Sequence, residues 1–419
     1  MDTQGTNAAA LADIDAGDPA LLNDPYAYYA RLTAEAPVFR DPKTGIVAVS
    51  SYKLIQEACA QPAIFSSAMG HLLTSGGAGA LDAEEAAIMA SGLPWVDTLL
   101  TADPPRHALY RRVATKAFAQ RRVMAMEPAI TATCHELIDR FIGRGHAELK
   151  SEFADHLPST IIADMLGVPR ADLPRFADWL HAGISRLSGL AGREQRIIAA
   201  RKEIELQHYF LAAIADRREN PRDDIITDLV QASWAEAENA RPLNDAELYG
   251  ILQQLFNAGQ ETTAHSIVYA IYQLFQHPQQ LAALRADPAL MRNAIEETLR
   301  HLSPTNNMWR VVAQDTALGG VDLHAGETML LRFGAGNRDS AVFAAPDQFD
   351  IHRANARDHL SFGHGVHLCL GAALARVEMR AALPVLLERL ENLRVGDMVL
   401  NATPILRGVR AFEVTFDRK

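Results

Sequence analysis

The sequence predicts a mainly α-helical chain with small β-sheets, an α+β arrangement. Three observations predict it. Apolar residues recur at helical spacing through most of residues 103–238. A proline-free run from Ala246 to Gln276 then reads as one long helix, which at ~1.5 Å per residue would cross most of a domain. Alternating, β-branched segments gather near the two ends of the chain.

The elements follow in order. Met1 to Ala16 is polar and acidic, with no basic n-region or apolar h-region, so residues 1–18 read as a loose tail without a targeting signal. Asp24-Pro25 starts a helix to about Ala36, with the acid as cap and proline in the first turn. Short β-type runs follow at Val38–Arg40 and Ile46–Ser50. Residues Gly70–Gly92, rich in Gly, Ser and Ala, read as a loop with short helical pieces. Helical spacing from about Asp103 to Glu238 breaks near Pro158, Pro169 and Gly183–Gly192. Asp245 is placed to cap the long helix, and another helix spans about Pro288 to Leu302. Strands are expected at Met308–Val312, Val321–Leu323 and Thr328–Phe333. A helix-poor stretch covers Ala341–His359, and a last helix runs to about Leu390. The tail Leu393–Phe416 reads as strands turning at Gly396 and Gly408.

Composition narrows the function classes. The 419 residues are 48% hydrophobic, ample for a large core, and are read as a single domain. Forty basic against 51 acidic residues give a net charge of −11, which does not suggest a nucleic-acid or anionic-membrane partner. The three cysteines Cys59, Cys134 and Cys369 argue against a disulfide framework and fit a reducing cytoplasm. No stretch approaches the ~20 apolar residues of a membrane span.

Chemistry concentrates in Ser361-Phe362-Gly363-His364-Gly365-Val366-His367-Leu368-Cys369-Leu370-Gly371. Here a lone cysteine sits in a glycine-punctuated loop directly before an Ala/Leu-rich helix. Amide N–H groups and the helix dipole at that entrance favour thiolate over thiol. Such a thiolate suits one axial bond to haem iron. The plain alternative is a small buried hydrophobe. Zinc held by His359, His364, His367 and Cys369 is the other, although no second ligand pair stands out.

This run resembles the haem-binding signature of the cytochrome P-450 family, and the likeness extends over nearly the whole chain. The resemblance implies that family's fold, with a long central helix over the haem and the cysteine loop beneath it. It implies haem b bound by Cys369, with Phe362, Gly363 and Gly371 around the sulfur and Ala258 and Gly259 on the opposite side. Ala258-Gly259-Gln260-Glu261-Thr262-Thr263 resembles the family's oxygen-activating stretch, in which Glu261 and Thr262 would deliver protons to dioxygen. A glycine with threonine would also open a local bulge in the helix. Glu in place of the more frequent Asp is a departure that affects reach. Glu297-Thr298-Leu299-Arg300 matches the family's Glu–x–x–Arg helix, which Arg353 would complete as a buried structural network. His107, Arg111, Arg310 and His367 fall where the family binds the haem propionates.

Further expectations follow from the same likeness. The chain would be a soluble bacterial-type monooxygenase that hydroxylates a small hydrophobic substrate of terpenoid, steroid or aromatic class. With no Gly-rich nucleotide fingerprint and no flavin-type reductase domain, electrons would come from a ferredoxin or flavodoxin with its reductase. A basic run including Arg106, Arg112, Lys116 and Arg121 would steer that partner. Residues Gly70–Leu99, Gly183–Gly192 and Leu406–Val409 would line the substrate pocket, with Gln254, Asn257, Asn306, Asn307 and Met308 contributing. A peroxide-driven peroxygenase of the same fold, or a non-enzymatic haem-thiolate ligand sensor, are the rivals.

Overall fold

The first ordered elements appear earlier than the sequence reading expects. In a computed structural model, which describes residues 10–70, 82–187, 191–232 and 241–417, Leu11 is buried within a 3₁₀ turn at Leu11–Asp13. Asp18 then caps Pro19–Asn23, accepting from the N–H of Ala20 at 2.7 Å. Residues 10–18 are therefore packed rather than a loose tail, because Leu11 joins a cluster with Tyr28, Tyr29 and Leu32. The rest of the expected tail, residues 1–9, lies outside the described residues.

The principal helices are α1 (Tyr26–Glu35), α2 (Tyr52–Ala60), α3 (Arg106–Ala117), α4 (Glu127–Asp139), α5 (His156–Leu166), α6 (Arg193–Glu219), α7 (Asp245–Ala258), α8 (Glu261–Gln276), α9 (Met291–His301) and α10 (Ala372–Arg389). The run expected as one helix over 246–276 is thus two helices, with the break at Gly259-Gln260. Asn244 caps α7, not Asp245. Its Oδ1 accepts from Glu247 N–H at 2.9 Å while Glu247 Oε2 accepts from Asn244 N–H at 2.9 Å, a reciprocal capping box. The cap must sit in extended backbone just outside the helix, and Asn244 does (φ −81, ψ 170). Helix α8 is buried from Thr263 to Ile271, at the centre of the main core.

The strands are β1 (Val38–Arg40), β2 (Val47–Val49), β3 (Phe65–Ser66), β4 (His146–Glu148), β5 (Met308–Val312), β6 (Thr316–Leu318), β7 (Val321–Leu323), β8 (Thr328–Leu331), β9 (Arg394–Ala402) and β10 (Arg407–Thr415). One sheet has the order β1-β2-β8-β5-β3, so segments distant in sequence interleave; another is β4-β10-β9. The turn of the last hairpin is at residues 403–406, not at Gly396 or Gly408. Thr403 Oγ1 accepts from Leu406 N–H at 3.0 Å and the Thr403 N–H donates back to the Leu406 carbonyl at 2.7 Å. The two glycines serve close strand approach instead: a Cβ on Gly408 would lie 2.7 Å from the Asn401 carbonyl oxygen.

Behind the cysteine loop lies a buried ion network. Glu297 is 0% exposed, Arg300 1% and Arg353 8%. Arg300 holds both Glu297 oxygens, at 2.7 and 2.8 Å, and Arg353 Nε reaches the same carboxylate at 3.0 Å. The remaining N–H groups of Arg300 donate to the carbonyls of Asn337, Pro346 and Gln348. Arg353 takes the carbonyls of Ala344, Ala345 and Gln348. These side chains therefore stand where secondary structure would otherwise satisfy a strand-poor loop. Glu297→Gln leaves two buried guanidinium groups facing one neutral amide. Chemical denaturation should show a loss of about 3–5 kcal/mol, the usual cost of breaking a buried charge set.

Candidate active site

The cysteine loop is shaped by two glycines in the left-handed region, Gly363 (φ 73) and Gly365 (φ 71). A side chain at Gly365 is impossible, since its Cβ would lie 2.5 Å from the Cys59 carbonyl oxygen. The Cys369 N–H donates to the Phe362 carbonyl at 2.8 Å, closing the loop, and α10 starts at Ala372. Cys369 is exposed at the end of this loop. Burial raises its thiol pKa, outweighing the N–H groups of Gly371 and Ala372 and the cations Arg111 and Arg376. Cys59 and Cys134 are buried in the core.

Near that sulfur the structure gathers His107, Arg111, Arg310 and His367. The His107 and His367 rings lie 4.2 Å apart, and each Nε2 is buried without a hydrogen-bond partner. Burial, with Arg310, His107 and Arg111 nearby, pushes His367 down to about 3. Burial and Arg111 lower His107 too. Both imidazoles are therefore neutral at pH 7, with a ring N–H available to donate. Arg310 is 4% exposed and donates to the Trp309 carbonyl at 2.7 Å. Neither it nor Arg111 has an acidic partner among the described residues. Two unsatisfied imidazoles and two unpaired guanidinium groups beside a cysteine fit the carboxylates of a haem.

The helix break lies between α7 and α8. Gly259 tolerates little beside it, because a Cβ would come 3.1 Å from the Leu255 carbonyl oxygen and 3.5 Å from Ile162. Side chains patch the interrupted ladder: Gln260 Nε2 donates to the Phe256 carbonyl at 2.8 Å, and Thr262 Oγ1 to the Ala258 carbonyl at 3.2 Å. Ser159 Oγ on α5 donates to Gln260 Oε1 at 2.7 Å, pinning the break from outside. The expected bulge is thus a full interruption, made by glycine and the side-chain bonds of Gln260 and Thr262.

Glu261 opens α8. Burial pushes its carboxyl up to about 7, Lys150 lowers it and Asp155 raises it. Lys150 is already paired with Asp155 at 2.7 Å. His265, one turn on and 0% exposed, places Nε2 3.7 Å from Glu261 Oε1. Burial, then Lys150, push His265 down to about 3, so it stays neutral. The sequence reading missed Lys150, Asp155 and His265; only His265, at i+4 from the acid, carried a spacing signal. It also missed Glu296, which accepts from Arg376 at 2.7 Å and lies 3.2 Å from His359. Burial raises Glu296, but those two partners outweigh it and hold it at about 2. No cluster of His, Cys, Asp or Glu able to hold a metal ion occurs among the described residues.

Of the expected substrate residues, Gln254 Oε1 accepts from Leu100 N–H at 2.7 Å, and Asn257 faces Gly183. Asn307 is a brace, bonded to Tyr29 and to the Pro404 carbonyl. Asn306 is 3% exposed against Gly334, and Met308 is half-buried on β5. Residues 71–81 and 188–190 of the expected pocket lie outside the described residues, as do the side chains of 184–187. In the basic run, Arg112, Lys116 and Arg121 are exposed, while Arg106 stacks over Tyr110.

The Cytochrome P450 family profile matches residues 192–400. The chain is 35% identical over 383 residues to the cyclomarin C epoxidase CymV of Salinispora arenicola, covering 91% of this chain and 93% of that one. It is 34% identical over 394 residues to the steroid C26-monooxygenase of Mycobacterium tuberculosis, covering 93% of each. The solved structure of cytochrome P450 CREJ in complex with (4-ethylphenyl) dihydrogen phosphate superposes with a TM-score of 0.89 at 28% identity, covering 97% of this chain and 100% of that one. The chain belongs to the cytochrome P450 family. It is a monooxygenase whose cofactor is haem with a cysteine thiolate as axial ligand. Among the described residues no helix is long and apolar enough to cross a membrane.

The Glu261 environment makes a direct expectation. Its folded pKa lies above the ordinary 4.5, so the native state keeps a proton that the unfolded chain has lost. The group's contribution to stability is full below pH 4.5 and is lost as pH rises to about 7. Infrared difference spectra should show a protonated carboxyl at pH 5.5 that vanishes by pH 8.5, about 1.5 units on either side of the midpoint, and that is absent from Glu261→Gln.

Proposed function

We propose that this single catalytic domain hydroxylates a small hydrophobic organic molecule, using dioxygen and electrons from a separate ferredoxin or flavodoxin with its reductase. The observation that carries the reading is the half-buried Glu261 carboxyl, titrating near neutrality, beside the Thr262 hydroxyl at a helix break. A group poised near the working pH can both take and give a proton.

When bound, haem supplies oxygen activation and the C–H oxidation chemistry. The chain's residues do the rest. Cys369 would bind the haem iron through its sulfur, and Phe362, Gly363 and Gly371 shape the loop that presents it. His107, Arg111, Arg310 and His367 would hold the haem carboxylates through imidazole N–H donors and guanidinium groups that have no acidic partner among the described residues. Ala258 and Gly259 would leave room for the group. Thr262 holds a proton at Oγ1, and Glu261 replenishes it from its carboxyl. Gln254, Asn257 and Met308 orient the substrate, whose mostly apolar body suits the terpenoid, steroid or aromatic class. The relative named a steroid C26-monooxygenase supports the steroid part of that range. The exposed Arg112, Lys116 and Arg121 attract an acidic electron donor.

Four measurements test this. Cys369→Ser should abolish the thiolate-type absorbance band of the reduced protein with carbon monoxide; its survival overturns the ligand assignment. Thr262→Ala and Glu261→Gln should lower product formed per dioxygen consumed by about tenfold or more, the scale of lost acid–base catalysis. Turnover with peroxide exceeding that with a ferredoxin system would favour the peroxygenase reading instead. Asn257→Leu should weaken substrate binding, and unchanged affinity removes that residue from the site.

A further inference from the structure

The cysteine loop is tied to an ion pair that the mechanism leaves unused. Arg376, one turn into α10, curls back toward the start of its own helix. Its Nη1 donates to the Ala372 carbonyl at 3.2 Å, and its guanidinium carbon stands 4.5 Å from the centre of the Phe362 ring. The Phe362 carbonyl accepts from the Cys369 N–H at 2.8 Å. The His359 ring also borders Phe362, with 5.5 Å between ring centres. Phe362 thus meets a cation and an imidazole while its backbone closes the loop.

Glu296 on α9 joins these two groups and is 4% exposed. Its Oε1 accepts from Arg376 Nε at 2.7 Å and its Oε2 from Nη2 at 2.8 Å, a planar two-bond fork. The Ser361 N–H donates to His359 Nδ1 at 3.1 Å, so the ring proton sits on Nε2. That Nε2–H donates to Glu296 Oε2 at 3.2 Å. Burial, with Arg376 and Arg300, lowers His359 more than Glu296 raises it, so this imidazole is neutral at pH 7. Burial raises the Glu296 carboxyl, yet its bonds to His359 and Arg376 hold it at about 2. One anion and one cation therefore stand here, and their charges cancel.

That balance differs from the other cation near the sulfur. Arg111 and Arg376 both favour the charged form of Cys369. Arg111 has no acidic partner among the described residues, whereas Arg376 has an anion of its own. Adding one electron to a haem iron bound by that sulfur makes the iron–porphyrin–sulfur unit more negative by one charge, with no bond made or broken. A cation beside the ligand favours the reduced state, and an anion opposes it. Bracing α9 against α10 needs only hydrogen bonds; the charge balance acts on the electron.

We propose that Arg376, balanced by Glu296, is a positioning residue for electron entry: acting through Cys369, the pair holds the haem reduction potential below the value the arginine alone would give. This role rests on Cys369 being the axial ligand, and it lies beyond the oxygen-activating and carboxylate-holding residues.

The haem-loaded protein is reduced stepwise at an electrode and followed at its Soret band. The titration is run at about pH 8, above the ordinary histidine range, so that His359 stays neutral in every variant. Glu296→Gln keeps the shape and an acceptor for Arg376 but removes the anion. It should raise the midpoint potential by about 59 mV, a tenfold shift in a one-electron equilibrium. Arg376→Gln should lower the midpoint by a similar amount. Arg376→Lys loses the planar fork but keeps the charge, and should stay near the native midpoint. Combining Glu296→Gln with Arg376→Gln should restore the native midpoint. Shifts of the same sign in Glu296→Gln and Arg376→Gln overturn the role. So does a fall in Arg376→Lys equal to that in Arg376→Gln, which would mark hydrogen-bond geometry and not charge. Should Glu296→Gln fail to take up haem, the two Arg376 variants decide, their side chain being 26% exposed. Unmoved midpoints with an intact thiolate–carbon monoxide band sink this role and leave the ligand assignment standing. Absence of that band from the unmutated protein sinks both.

Discussion

One carboxylate organises the cysteine side of this molecule. Glu297 is withdrawn from solvent and shared by two guanidinium groups, whose other N–H groups bind backbone carbonyls of the stretch 337–348. That stretch has little ladder bonding of its own, so its path depends on arginine donors. Desolvating three charges is expensive, and the cost is offset only because the donors are so fully engaged. A lysine could not reproduce the arrangement, having three donors on a point charge where Arg300 uses five in a planar fork. Glu296, the next residue, reaches the other way, to His359 and Arg376. Adjacent acids on α9 thereby brace the strand-poor stretch and the base of α10 together.

On the opposite side, desolvation is used differently. Glu261 has no cation in contact, and its carboxyl drifts toward neutrality; Glu296, with two partners, is held far below it. The same side-chain type thus holds a proton near neutrality in one place and stays a fixed anion in another. Partners, not burial, make the difference. His265 follows the same logic in reverse: enclosed and beside Lys150, it remains uncharged next to the acid.

The mostly helical layout, the cysteine loop, the three-residue ion network and the gathering of His107, Arg111, Arg310 and His367 were all legible in the sequence. Each rests on local pattern or on the family resemblance. What escaped was set by contacts between distant segments. The break in the 246–276 run was readable as a bulge from Gly259 and Thr262, but its extent depends on Gln260 and on Ser159, about a hundred positions earlier. Gly396 and Gly408 looked like turns because glycine usually is one; strand proximity to Glu413 and Asn401 is invisible in a single chain. Leu11 looked like part of a tail because its partners Tyr28, Tyr29 and Leu32 belong to a later helix. Lys150 gave no sign at all of standing near Glu261.

The contact of Gly365 with the backbone of residue 59 carries a consequence for assembly. Helix α2 acts as an abutment against which the loop bearing the metal-binding sulfur is wedged, with no room for an intervening methyl. Two stretches from opposite ends of the polypeptide must meet before that wedge exists. Helices can form early from neighbouring residues, whereas this junction bears the full entropy of a long closure. The loop that carries Cys369 therefore takes its final shape only once those two distant stretches have met.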